Sequence, residues 1–225
     1  MGRKLAFYHI FCRAGTPNLV QAQITNLIFS GCYGALDTIY CFLAGENQDS
    51  IDSVKRIVEK SGSKFVVAAE GPGDRSYERF TLLRMITMIE PDDKVLYFHS
   101  KSITKIENSN IQDWRMFLEF MTFTNHKEIL ELLDTYDTVG VNYGYYHSQY
   151  HYSGNFWWAT GKYLLKLPKE IHNEYDAPEF WIALGEPKAF QLFNSKIDHY
   201  KGQYPMKEYV DIQLASEASH QSRLL

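Results

Sequence analysis

Near its start the chain reads LAFYHIF over Leu5–Phe11, and a Thr16-Pro17 pair follows shortly after. The apolar run predicts a buried strand, and the pair suits the cap and the first position of a helix. Apolar residues continue at helical spacing from Val20 to Ile28, and Gly31 stands where a left-handed helix end is expected. This part of the sequence therefore predicts one strand followed by one helix.

The alternation of strand and helix continues through the first half of the chain. Strands are predicted at Thr38–Leu43, 64–69 and 94–98, and helices at 51–58 and 76–90. Such alternation favours a mostly parallel sheet with helices on both faces, and the ligands of such sheets bind beyond the carboxyl ends of the strands. We therefore predict an α/β, Rossmann-like fold with a central, mostly parallel mixed sheet of about six strands.

The second half has a less regular pattern. Helices are predicted at 111–123 and from Asn125, where Glu128 completes a capping box, and a strand is predicted at 138–143. Shorter elements are predicted near 156–159, 161–167 and 189–193, with a closing helix from Pro205. Nothing marks a linker or a repeat, and this length suits one core, so we expect a single domain over residues 1–225.

Bulk composition argues against several classes of protein. The formal charge of −4 and the isoelectric point near 6.1 disfavour nucleic acid as the main partner, because phosphate binding needs a basic surface. No apolar run approaches the roughly 18 residues of a membrane span, and no export signal precedes the first strand. Cys12, Cys32 and Cys41 lie in or beside apolar runs, as reduced core thiols do. We expect a soluble, cytoplasmic protein without a membrane or nucleic-acid partner.

Polar side chains follow the first four predicted strands, at the sheet edge where ligands bind. They are His9, Arg13, Glu46, Glu70, Arg75, His99 and Lys101. Glu46 and Glu70 suit hydrogen bonds from a base or a ribose, while Arg75 and Lys101 suit the charge of a diphosphate. Loops carry polar residues in any α/β protein, so each residue alone is also explained without a function. No glycine-rich nucleotide motif follows the first strand, which argues against a dehydrogenase or a P-loop enzyme.

The second half also carries a dense aromatic stretch, with nine aromatic residues from Tyr136 to Trp158. Aromatic rings stack well on the faces of sugars, and an amide suits a bond to a sugar hydroxyl. We therefore predict a platform for a sugar or an acceptor, made by Tyr152, Asn155, Trp157 and Trp158. Core packing is the alternative, and alternation along a strand predicts that one of the two tryptophans points inward and the other outward.

Six short blocks stand in order along the chain. They are YERFTL at Tyr77–Leu82, VLYFHSKS at Val95–Ser102, DWRMF at Asp113–Phe117, SGNFWWA at Ser153–Ala159, PEFWI at Pro178–Ile182 and IDHY at Ile197–Tyr200. Their order and spacing resemble the GT-A glycosyltransferases, and more narrowly the compact domains with which chlorella viruses, large DNA viruses of algae, glycosylate their major capsid protein.

This resemblance implies a GT-A fold and the transfer of a sugar from a nucleotide-sugar donor to a glycan acceptor. The family habit implies a UDP-linked donor, and the narrower resemblance implies a viral capsid glycoprotein as acceptor, in the host cytoplasm. It also implies a nucleotide-binding half over about residues 1–110 and an acceptor half over about residues 111–225.

In GT-A enzymes an Asp-x-Asp pair after the fourth strand holds Mn or Mg against the donor diphosphate, a task for oxygen ligands. Here the equivalent residues read FHSK at Phe98–Lys101, without an acidic pair. Either His99 binds the metal together with groups from elsewhere, or Lys101 supplies part of its charge. A histidine near the C-terminal end often completes this site in the family, which implies Asp198 and His199 as ligands; an ordinary surface histidine is the alternative. The requirement for a divalent metal stays open.

Transfer with inversion needs a carboxylate that takes the proton of the acceptor hydroxyl. Glu179, directly after Pro178 and beside large apolar residues, is the first candidate for this catalytic base, and Asp176 is the second. An acidic residue in the first turn of a helix also complements the helix dipole, which is the alternative. The spacing does not distinguish inversion from retention.

Two other functions fit parts of this pattern. A non-catalytic carbohydrate-binding module of GT-A ancestry would keep the aromatic stretch and lack the metal-binding acids, as this chain does. A nucleotidyltransferase would share the early strands but would carry clustered carboxylates for two metal ions. The sequence contains no such cluster, which favours the glycosyltransferase.

Overall fold

The computed structural model describes residues 2–73, 77–101, 103–105, 107–146 and 149–210. Its strands are β1 (Lys4–Cys12), β2 (Thr38–Gly45), β3 (Phe65–Pro72), β4 (Lys94–His99), β5 (Thr138–Val141), β6 (Tyr143–Tyr146), β7 (Gln149–Tyr152), β8 (Trp157–Thr160) and β9 (Ala189–Phe193). Its helices are α1 (Thr16–Phe29), α2 (Cys32–Ala35), α3 (Gln48–Lys60), α4 (Arg79–Met85), α5 (Ser109–Glu119), α6 (His126–Leu132), α7 (Gly161–Leu164) and α8 (Ala177–Trp181). A 3-10 turn covers Ile103–Lys105, a π-helical turn covers Phe120–Thr124, and residues 206–210 are helical.

Seven of the described strands form one sheet, in the order β3-β2-β1-β4-β8-β5-β9, while β6 and β7 form a separate antiparallel pair. Within the sheet, β8 runs antiparallel to both neighbours and the other pairs are parallel. The chain proceeds from β1 outward to β3 and then returns to β4 on the other side of β1. The switch point of the sheet, where α/β proteins bind ligands, therefore lies between the carboxyl ends of β1 and β4.

This topology confirms the predicted α/β, Rossmann-like architecture with a mostly parallel mixed sheet and helices packed against it. Local differences have identifiable causes. The helix predicted from Asn125 forms without the predicted cap, because Asn125 Nδ2 donates to the carbonyl of Met121 at 2.9 Å. The strand predicted over 138–143 ends early, because Asn142 has a φ of 52°, which breaks the extended chain.

Two apolar clusters cover the two faces of the sheet, and the two tryptophans of β8 contribute one ring to each. Both rings are 0% exposed, since β8 lies inside the sheet between β4 and β5. Trp158 Nε1 donates to the carbonyl of Thr122 at 3.0 Å, and Trp157 stacks on Tyr97 with 5.0 Å between ring centroids. The prediction of one outward tryptophan is wrong, because strand alternation puts the rings on opposite faces and both faces are covered.

The three cysteines are buried and free, as predicted. Burial raises the pKa of Cys12 and of Cys32 to about 12, so both are thiols at neutral pH. Within the described ranges, every helix is too short or too polar to cross a bilayer.

Candidate active site

A cavity of about 350 Å³ opens where β1 and β4 end, at the switch point of the sheet. Its charged and titratable lining residues are His9, Glu78, His99, Lys101, Tyr77, Tyr175, Glu179, Tyr200 and Lys105. Another hollow, between α1 and α3, has no buried charged side chain among its described lining residues. The convergence of polar groups makes the cavity at the switch point the candidate active site.

His99 ends β4 and lies beside His9, its paired residue in the last half of the parallel strand β1. His9 Nδ1 lies 2.8 Å from Thr81 Oγ1, and His99 Nε2 donates to the carbonyl of Gly154 at 3.0 Å. Burial lowers the pKa of His9 to about 4; burial, aided by the charge of Lys101, lowers the pKa of His99 to about 3. Both imidazoles are therefore neutral at neutral pH and act in the cavity through hydrogen bonds.

Glu78 lies directly before α4 and places a partly buried carboxylate in the cavity. Its Oε2 accepts from the Tyr97 hydroxyl at 2.7 Å and from Asn155 Nδ2 at 2.6 Å. Asn155 Oδ1 in turn accepts from Trp157 Nε1 at 2.8 Å. Asn155 and Trp157, predicted as sugar-binding residues, therefore hold a carboxylate in position from behind the cavity. Sequence reasoning misses Glu78, although the YERFTL block contains it.

The turn before β8 explains how Asn155 reaches this carboxylate. Gly154 and Asn155 both have left-handed φ values, 93° and 55°, which glycine and asparagine adopt more readily than other residues. A Cβ atom on Gly154 would come within 2.5 Å of Leu118 Cδ1, so only glycine fits at this position. The same glycine supplies the carbonyl that orients His99.

Lys101 follows β4 and carries an ammonium group with no hydrogen-bond or ion-pair partner among the described residues. Its Nζ lies 3.8 Å from the centroid of the Trp114 ring, and the residue is 9% exposed. Burial lowers the Lys101 pKa below its usual value, while the negative charges of Glu179 and Glu78 oppose this shift. A buried cation normally has an anionic partner, so the geometry suits an anionic ligand.

Glu179 lies in the first turn of α8 and lines the cavity half-buried, also without a partner among the described side chains. The segment before α8 is fixed by Arg79, whose guanidinium donates to the carbonyl of His172 at 2.6 Å and to that of Glu174. Asp176, the second candidate base, sits at the start of α8, where its carbonyl accepts from Glu179 N and its side chain does not line the cavity. The structure therefore brings Glu179 to the site and leaves Asp176 outside it.

Four predicted nucleotide-binding residues lie elsewhere or are not described. Glu70 is paired with Lys55 at 2.7 Å on the outer strand β3. Arg13 and Glu46 form an exposed pair at 3.7 Å and do not line the cavity. Glu46 and Glu70 belong to β2 and β3, or follow them directly, and these strands end further from the switch point. Arg13 follows β1, but its charge is matched by that of Glu46. Arg75 lies outside the described residues.

The aromatic wall of the cavity differs from the predicted platform. Tyr152 is fully buried, and its hydroxyl contacts Thr138 Oγ1 at 3.0 Å and the carbonyl of Phe190 at 3.1 Å. Like Trp157 and Trp158, it belongs to the core. The rings that line the cavity are Phe11, Tyr77, Trp114, Tyr175 and Tyr200. These rings come from separate parts of the chain, so a search for a dense aromatic stretch does not find them.

The predicted metal ligands are not gathered into a metal site. The His199 ring stacks on Trp114, 5.2 Å away and 5° from parallel, and its Nε2 lies 2.8 Å from Ser195 Oγ. Asp198 pairs with Lys201 at 3.0 Å instead. Among the described residues, no three His, Cys, Asp or Glu side chains come close enough to hold a metal ion together, so His99, Asp198 and His199 do not form the expected set.

Comparison with known proteins gives a family and a distant structural likeness. The family model described as "Domain of unknown function (DUF8361)" matches residues 7–202. No curated protein matches the chain by sequence. The crystal structure of 4-diphosphocytidyl-2C-methyl-D-erythritol synthase is 11% identical, with 95% of this chain and 98% of that chain covered and a TM-score of 0.44. A likeness this distant carries no argument about function.

Proposed function

The chain belongs to the family described as "Domain of unknown function (DUF8361)", and we propose that it is a GT-A glycosyltransferase that moves a sugar from a UDP-linked donor to a glycan acceptor. One observation carries the proposal: the buried ammonium of Lys101 and the carboxylate of Glu179 face the same cavity without pairing with each other. Sugar transfer has to stabilise an anionic leaving group and to accept a proton, and these two groups suit the two tasks.

In this reaction the acceptor hydroxyl oxygen bonds to the anomeric carbon of the donor sugar. The bond from that carbon to the diphosphate oxygen breaks, and the nucleoside diphosphate leaves with the electron pair. Lys101 stabilises the charge on the diphosphate, and Glu179 takes the proton of the acceptor hydroxyl. The rings of Tyr175 and Tyr200, which are exposed at the cavity, provide faces on which sugar rings stack.

The six sequence blocks support the choice of a UDP-linked donor and a glycan acceptor, carried on a capsid glycoprotein in the narrower resemblance. The cavity residues Glu78, Lys101 and Glu179 all fall inside these blocks. Since the described residues contain no three-ligand metal group, no step of the proposed reaction is assigned to a divalent metal.

Thermal unfolding with UDP, GDP or CMP, each with and without Mn, tests the donor. A nucleotide at a hundredfold excess over its Kd raises the free energy of unfolding by about 2.7 kcal/mol, and we expect UDP to give the largest rise. The Glu179→Gln variant should then lose transfer activity and keep its UDP affinity, whereas Glu131→Gln, an exposed site on α6, should change neither. Stabilisation by a glycan but by no nucleotide would instead indicate a carbohydrate-binding module.

A further inference from the structure

Two hydrogen-bond acceptors face each other in the cavity, and none of the described residues places a donor between them. Glu78 Oε1 and His99 Nδ1 are 3.8 Å apart, and their side chains are 15% and 12% exposed. His99 Nε2 carries the ring proton, because its partner, the carbonyl of Gly154, can only accept. The depressed His99 pKa agrees with a neutral ring, which leaves a lone pair on Nδ1.

The carboxylate is oriented so that only one of its oxygens remains available. Oε2 already accepts from Tyr97 and Asn155, while Oε1 has no donor among the described residues. Two partly buried lone pairs this close repel each other unless donors satisfy both of them. The arrangement is therefore suited to a ligand that presents two neighbouring donors.

We propose that Glu78 and His99 bind two adjacent hydroxyl groups of the transferred sugar, one hydroxyl to each residue, and so select the donor by that diol. The inference rests on the proposed function and names the part of the donor that this end of the cavity recognises. A ribose also carries a vicinal diol. The position of Glu78 relative to the catalytic base Glu179 decides whether the sugar or the ribose is bound there.

The Asn155 amide and the Arg79 guanidinium both link Glu78 to the part of the chain that carries Glu179. Asn155 Nδ2 lies 2.6 Å from Glu78 Oε2 and 3.5 Å from the carbonyl of Pro178, the residue before the base Glu179. Arg79, next to Glu78, holds the carbonyls that lead into α8. Glu78 therefore lies at the reacting end of the cavity, where the transferred sugar is bound and the nucleoside is not.

The Glu78→Gln variant provides a specific test. The amide oxygen must stay towards Tyr97 and Asn155, which both donate, so the new NH₂ group takes the position of Oε1 and presents a donor to His99 Nδ1, 3.8 Å from that position. The variant should unfold at the same or a higher temperature than wild type, because a donor then faces the acceptor His99 Nδ1 where two acceptors faced each other. Titrations use UDP and whichever of UDP-glucose, UDP-galactose or UDP-N-acetylglucosamine wild type binds best, with Glu131→Gln as the matched control.

We expect Glu78→Gln to leave UDP affinity unchanged and to weaken binding of the UDP-sugar roughly tenfold to a hundredfold, the range for hydrogen bonds to a charged group. A UDP-sugar that lacks one hydroxyl of this diol should bind wild type more weakly than the intact UDP-sugar does. The Glu78→Gln variant should bind both equally. Equal weakening of UDP and UDP-sugar would assign the pair to the ribose and overturn the inference. Binding of no nucleotide to wild type would instead reject the proposed function.

The tautomer of His99 gives a readout that does not depend on any nucleotide. Nitrogen-15 NMR of histidine-labelled protein should show His99 Nδ1 without a proton in wild type, with a shift of that resonance in Glu78→Gln. A protonated Nδ1 in ligand-free wild type would overturn the inference, because the pair would then lack its second acceptor.

Discussion

Lys101 is a charged residue removed from water, and none of the described residues forms an ion pair with it. Its contact with the face of Trp114 offsets part of the desolvation, since a cation over an aromatic ring is stabilised by about 0.5–2 kcal/mol. That is less than a hydrogen-bonded anion provides, and the depressed Lys101 pKa reflects the difference. A bound diphosphate would provide such an anion, so the desolvation of Lys101 that lowers stability is also what would favour binding of an anionic ligand.

The Lys101→Met variant separates these two effects. Methionine keeps an apolar stem against Trp114 and removes the charge, so we expect the free energy of unfolding to stay equal or to rise. UDP affinity should fall by about tenfold to a hundredfold, as expected when a charge-assisted bond is lost. Isothermal titration calorimetry measures this change, with Lys127→Met on the exposed surface of α6 as control. Unchanged UDP affinity would show that the diphosphate binds elsewhere.

At the scale of elements, α8 is a short helix whose position depends on other parts of the chain. It has five residues and no side-chain cap, and Trp181 at its end is fixed by a bond from Nε1 to the carbonyl of Pro168 at 2.9 Å. Arg79 holds the segment before it. The geometry of Glu179 is therefore set by bonds from α8 and from the segment before it to other parts of the chain, rather than by the helix itself.

Replacing Arg79 should affect the chemical step more than binding of the nucleotide. In Arg79→Met the segment before α8 loses its anchors, which misplaces Glu179; a displacement of about 1 Å can cost on the order of a hundredfold in rate. We expect kcat to fall at least about tenfold while UDP affinity changes little, because Lys101 lies on a different element. Arg84→Met, an exposed site on the same helix, is the control. Equal losses in kcat and UDP affinity would contradict this role.

At the scale of the whole molecule, buried neutral histidines make stability depend on pH. Burial lowers the pKa of His9 and His199 to about 4 and that of His99 to about 3, from 6.5 in the unfolded chain. Below about pH 6.5 the unfolded chain binds protons that the folded chain does not, so the free energy of unfolding falls as the pH falls towards 4. At pH 5 each of these three histidines lowers the free energy of unfolding by about 2 kcal/mol relative to neutral pH.

Urea unfolding at several pH values between about 7 and 5 measures this loss. A His199→Gln variant keeps a polar group near Ser195 and should show a shallower decline with pH than wild type. A stability that does not change over this range would show that these histidines titrate normally in the folded protein.

The sequence predicts the site best where the backbone alone determines it. His9, His99 and Lys101 meet because parallel strands bring their carboxyl ends to one edge, and this follows from the alternation of elements. Glu46 and Glu70 follow the same rule but end on strands beyond β1, away from the switch point. Which strand is adjacent to which depends on tertiary packing that no local pattern contains.

The burial and the contacts of side chains are predicted less well, because they too depend on tertiary packing. The alternation of Trp157 and Trp158 is correct, but their burial depends on β8 entering the interior of the sheet through an antiparallel pairing. Glu78 is missed because a carboxylate beside a helix start resembles an ordinary polar residue. Its role depends on Tyr97 and Asn155, which are distant in sequence.

Most residues that line the cavity come from segments outside the sheet, so the cavity wall and the sheet are built largely from different residues. Tyr77 and Glu78 precede α4, Glu179 lies on α8, and Tyr200 lies near the end of the described chain, so most of the wall is built from segments outside the sheet. Tyr77, Glu78, Glu179 and Tyr200 belong to none of the described strands and to neither apolar cluster. Changes at these four positions should therefore alter what the cavity binds and leave the fold intact.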